Sequence, residues 1–247
     1  MVLLDGLHPY EVLLAGAGSL LFIVLLPLFA RQVLKDKPYN SLLAFFALPV
    51  VMIGWPSIQK VKLSQDTIEL EKMTTALKEN PKDSALRERV EAQVKQIKER
   101  PVSDPISVTT IAQAQLELGD QAASEATVDK GLQSAPQAPG LQELKNKIQI
   151  YKQLKNLTST VEKDPSNTAA KAQLQDATHR ATSITTASPQ LVNDLAAAEF
   201  AVGHTDEATA LNTKALAIAP TSKNAIQLQE RISAERFSSK TVSRTKQ

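Results

Sequence analysis

The chain has no cysteine, which excludes structural disulfides, thiolate metal sites and cysteine nucleophiles. Aromatic residues make up only 4% and there are eight glycines. That leaves few segments with the composition of strands and little material for phosphate-cradling loops. Neither a P-loop, nor a Gly-rich dinucleotide fingerprint, nor a Gly-x-Ser-x-Gly element occurs. The three histidines, His8, His179 and His204, show neither an i, i+4 pair nor the His–carboxylate spacing of a metal site. A large charge excess is also missing. Ser64 to Ile232 holds 19 Lys/Arg against 22 Asp/Glu, a net −3, and such a domain cannot neutralise a run of phosphates. The last residues, 233–247, carry Arg236, Lys240, Arg244 and Lys246 against Glu235, a basic tail that reads as solvated and disordered. These absences predict no catalytic residues, no cofactor, no metal and no nucleic-acid partner, and so a protein that is not an enzyme.

Helix formers and two uncharged apolar runs dominate what is present. Tyr10 to Phe29 has one charge, Glu11, at its edge, and Leu42 to Ile58 has none. As helices these runs rise roughly 30 Å and 25 Å, so the sequence predicts two transmembrane helices, about 10–29 and 42–58. Tyr10, Tyr39 and Trp55 lie near their ends, where amphipathic rings prefer the interface. Arg31, Lys35 and Lys37 follow the first run while no Lys or Arg precedes it, which directs the connection to the cytoplasm and the N-terminus outward. The expectation is an integral protein of a bacterial inner membrane, with the N-terminus and the helical domain on the periplasmic side. Ala15, Gly16, Gly18 and Ser19 form a small-residue face suited to close packing of membrane helices.

The rest of the chain contains an internal duplication. Shifted by 84, Leu70–Ile148 lies over Leu154–Ile232 without a gap, with 16 of 79 positions identical. Pro81 falls on Pro165, Pro105 on Pro189, Gly119 on Gly203 and Pro136 on Pro220. Apolar residues recur at helical spacing between these points, as in Val108, Ile111 and Ala112 and again in Val192, Leu195 and Ala196. The glycines mark turns between helices and the prolines mark helix ends. The chain therefore divides into a membrane anchor (1–60), a helical linker with a first unit (61–148), a second unit (149–232) and the tail (233–247).

Each unit resembles the tetratricopeptide repeat. Gly119 and Pro136 lie 17 apart, as do Gly203 and Pro220, and Ala208, Ala215 and Leu216 match the family's packing positions in its second helix. The resemblance implies an all-α fold: two transmembrane helices followed by a tetratricopeptide-like α-solenoid built from two copies of the 84-residue unit. It also implies a concave face lined by the first helix of each pair, here Thr109, Gln113, Leu116 and Glu117, then Gln190, Asn193, Ala197 and Phe200. The function this implies is a membrane-anchored interaction scaffold, an accessory or assembly subunit of a larger membrane complex, with the bilayer and other membrane-complex proteins or polypeptide segments as partners. The alternative is a periplasmic chaperone or adaptor for translocated polypeptides. That architecture is similar to the tetratricopeptide subunit of cytochrome c maturation, although residues 31–41 are much shorter than that family's cytoplasmic segment.

Overall fold

Helix boundaries along this chain are set by short polar residues, Pro and Gly placed between apolar stripes. The computed structural model describes residues 9–33, 40–184 and 186–244. Within these ranges the side chains are described except those of residues 9–12, 14, 15, 28, 32, 33, 40–46, 53–59 and 238–244. Every regular element among the described residues is an α-helix: α1 (Pro9–Val33), α2 (Asn40–Glu79), α3 (Ser84–Lys98), α4 (Pro105–Leu118), α5 (Gln121–Ser134), α6 (Pro139–Lys163), α7 (Thr168–Thr182), α8 (Pro189–Val202), α9 (Thr205–Ile218) and α10 (Lys223–Arg244). The chain forms two compact units, Met1–Asp66 and Thr67–Gln247.

In the first unit the apolar N-terminal sequence is helical, and Leu13, Leu20, Ile23, Val24, Leu48 and Val51 are exposed. Gly18 and Pro49 are buried, while Gly16 and Ser19 are exposed and the side chain of Ala15 lies outside the described residues. The expectation of transmembrane helices at about 10–29 and 42–58 is corrected here, and with it the location as an integral inner-membrane protein with a periplasmic domain. Among the described residues no helix is long and apolar enough to cross a membrane. A crossing takes about 20 consecutive apolar residues. From Lys60 onward α2 is polar. The residues behind the interfacial and orientation arguments, Tyr10, Lys35, Lys37, Tyr39 and Trp55, lie outside the described side chains.

The second unit is a stack of antiparallel helices in two layers. Helices α4, α6, α8 and α10 follow one another in one layer, with α4 against α6, α6 against α8 and α8 against α10. Helices α3, α5, α7 and α9 make the other, each packed on the next helix of the first layer. The last turns of α2 belong to this unit, where Thr67 Oγ1 lies 3.0 Å from Ser107 Oγ on α4.

Local chemistry explains the boundaries. Asp83, Asp104, Asp120, Asn167 and Ser188 each accept a hydrogen bond from the backbone N–H three residues on, satisfying a donor the helix cannot. Pro105, Pro139 and Pro189 occupy first helical positions, where their missing N–H costs nothing. Helices α4 and α8 end at Gly119 and Gly203, at φ +96° and +98°, a conformation that L side chains disfavour. In both turns the glycine N–H and the next N–H donate back to carbonyls of the last turn, closing the helix.

Every boundary from the start of α3 to the end of α5 recurs 84 residues later in α7, α8 and α9. The core recurs with it. Leu70 and Leu154 are fully buried, as are Val90 and Leu174, and Ala112 and Ala196; Leu144 pairs with Leu228 and Ile148 with Ile232. Helix α6 is shared. Its first half closes the first copy and its second half opens the next, so Leu141, Leu144, Ile148, Tyr151, Leu154 and Val161 form one buried stripe in a core with residues from both copies. The basic tail does not begin where the helix ends: α10 continues through Arg236, which pairs with Asp206, to Arg244.

Candidate interaction surface

Of the eight residues on the face implied by the tetratricopeptide resemblance, Leu116, Glu117 and Asn193 are buried and five are partly exposed. Leu116 is 3% exposed and lies in the main core, because α6 packs against both α4 and α8. Asn193 is 5% exposed, and its Oδ1 is buried without a hydrogen-bond partner. Glu117 is 2% exposed. Thr109, Gln113, Gln190, Ala197 and Phe200 are partly exposed. Thr109 donates to the Pro105 carbonyl, Gln113 to Glu117 and Gln190 to Asp194. Phe200 packs beside the Ala196–Leu228 cluster and lies under the guanidinium of Arg231, 5.3 Å from its ring centre. That guanidinium also pairs with Glu162 at 2.8 Å.

The Glu117 carboxylate is engaged on both oxygens. Oε1 lies 3.3 Å from Lys78 Nζ and accepts from Gln113 Nε2 at 3.3 Å. Oε2 accepts from Thr186 Oγ1 at 2.9 Å and from the Ala187 N–H at 2.7 Å. Ala187 directly precedes the Ser188 cap of α8, so the anion sits at the positive end of that helix dipole. Arg87 on α3 joins the same cluster, donating to the carbonyls of Ala187 at 3.0 Å, Glu117 at 3.3 Å and Pro81 at 3.4 Å. Burial lowers the Arg87 pKa and the nearby Glu117 charge opposes that shift.

Two further groups at the α6–α8 contact are perturbed. Burial pushes the Tyr151 hydroxyl pKa up, and the charges of Glu117 and Asp194 add to it. Burial also raises the Asp194 carboxyl, against the pull of Lys155 and the hydrogen bond from Gln190. Asp194 was not evident as a candidate in the sequence. A single acid on an amphipathic helix carries no signal of its own.

Beside Arg87 lies a cleft of 520 Å³ between α3, α4 and the start of α5. Val94, Leu118 and Ala123 are its apolar lining; Arg87, Lys95 and Lys98 supply positive charge and Glu91, Glu99 and Asp120 negative. The positions 84 residues on carry a different set: Thr178 and Val202, then Lys171, His179, Thr182, Gln175, Ser183 and His204. There His204 Nδ1 lies 2.8 Å from Glu199 Oε2. Among the described residues no group of three or more His, Asp or Glu side chains is placed to hold a metal ion. The arrangement offers a shaped surface of mixed charge. No protein-family model, curated protein or solved structure matches this chain.

Proposed function

We propose that this chain is a protein–protein interaction scaffold whose hairpins are of the tetratricopeptide kind. The spacing of the stack supports the second half of that reading: 34 residues separate Pro105 from Pro139, and Pro189 from Lys223, the period of that repeat. One observation carries the first half. The two copies keep the same helix boundaries and buried positions but differ at the surface, where the charged cleft residues Glu91, Lys98 and Glu99 correspond to Gln175, Thr182 and Ser183. Two presentations of one framework serve recognition, since each copy offers its own surface to a partner. The test is affinity purification of the full chain with quantitative mass spectrometry. A protein recovered in fixed ratio to the chain supports the scaffold, and recovery of the chain alone contradicts it.

A further inference from the structure

The cluster around Glu117 is present in the first copy and missing from the second. At the corresponding positions Arg87 becomes Lys171, Gln113 becomes Ala197, Glu117 becomes Ala201, and Lys78 becomes Glu162. The framework that carries these positions is otherwise repeated, so the cluster is not a requirement of the fold of one copy. Its bonds run elsewhere. Glu117 reaches Thr186 and Ala187, which are 69 and 70 residues away in the second copy, and Arg87 reaches the Ala187 carbonyl 100 residues away. These hydrogen bonds bypass α6, the helix through which the chain passes from one copy to the other. The turn at Gly119 abuts the same loop: a Cβ there would lie 3.4 Å from Ser188 Oγ.

We propose that Glu117 and Arg87 form an inter-copy latch, which holds the loop before α8 against the last turn of α4 and so fixes the angle between the two copies. A long helix sets spacing, and apolar packing along it is non-directional. Hydrogen bonds to a buried carboxylate are directional, and they run here straight from the loop before α8 to the last turn of α4. Thr186 makes the arrangement a relay, since its hydroxyl donates to Glu117 while accepting the Ser188 N–H. The loop is thereby tied to the latch at two successive backbone N–H groups, those of Ala187 and Ser188.

The absence of cysteine makes the test direct. Arg89 on α3 and Gln173 on α7 are exposed and stand at equivalent positions of the two copies. The full chain carrying Arg89→Cys and Gln173→Cys takes two spin labels, and their distance distribution is measured by pulsed electron resonance. The expected result is one narrow distance that is lost on adding Glu117→Ala, with helical circular dichroism retained. Should Glu117→Ala fail to fold, Thr186→Val and Arg87→Met each cut part of the latch and carry the same expectation. A narrow distance unchanged in the folded variants would overturn the proposal.

Discussion

Glu117 stands three residues from Asp120 near the C-terminal end of its own helix, where a negative charge is disfavoured. It is tolerated because the start of α8 meets it with an N–H and a hydroxyl. Removing it leaves Lys78 without its partner and two buried donors unmet, and takes a counter-charge from Arg87, whose bonds to backbone carbonyls remain. Glu117→Ala is therefore expected to destabilise the chain by roughly 3 kcal/mol, a fall in Tm on the order of 10 °C by calorimetry. Asp194 behaves in the opposite way. Its folded pKa is raised by burial, so the stability it contributes is full below the ordinary Asp value of about 4 and is lost as pH rises through the folded value. Asp194→Asn cannot ionise and retains that contribution. It should be more stable than the parent at pH 7, with the difference shrinking as the pH falls to about 4; denaturant titrations at several pH values measure it. At Gly203 a Cβ would meet no atom within 4 Å, so Gly203→Ala should cost only the left-handed strain, about 1 kcal/mol.

At the scale of elements, the two copies solve one packing problem in two ways. A Cβ on Gly131 of α5 would lie 2.7 Å from Leu141 Cδ1 and 2.8 Å from Val108 Cγ1. The second copy places Ala215 there, and Ala225 in the position of Leu141, and these two pack with Val192. The larger residue on one helix is matched by a smaller one on the next. Gly131→Ala alone should cost about 1–3 kcal/mol from overpacking, and Leu141→Ala alone about 2–5 kcal/mol from the cavity. The double variant should cost less than their sum by about 1 kcal/mol, read from a denaturant double-mutant cycle. Most of this element-level structure was legible, because Pro105, Gly119, Pro136 and their partners 84 residues on act locally on the backbone. The buried stripe of α6 was legible for the same reason, as a matter of helical spacing. The site was not. On the face read from Thr109 to Phe200, α6 is 25 residues long and packs on α4 and α8, burying Leu116. The sequence placed Glu117 on that face, but the partners of its Oε2 lie 69 and 70 residues away, beyond any local pattern. The one trace of it was Ala201 at the matching position.

For the whole molecule, two units contribute differently. The apolar helices of residues 1–66 carry exposed Leu, Ile and Val side chains, while residues 67–247 bury a repeated core beneath polar surfaces that differ between copies. The scaffold reading makes those two surfaces non-interchangeable, and this is the claim on which the account stands. Introducing acidic side chains tests it without touching the core, since Lys95, Lys98, His179 and Thr182 are all exposed. One full-length variant carries Lys95→Glu and Lys98→Glu, and the other carries the equivalent pair His179→Glu and Thr182→Glu. The measurement is the amount of the fixed-ratio partner that each retains on purification relative to the parent chain. The account expects one variant to lose the partner and the other to keep it, both with parental helical content. Equal retention by both variants, or no fixed-ratio partner with the parent, would contradict it.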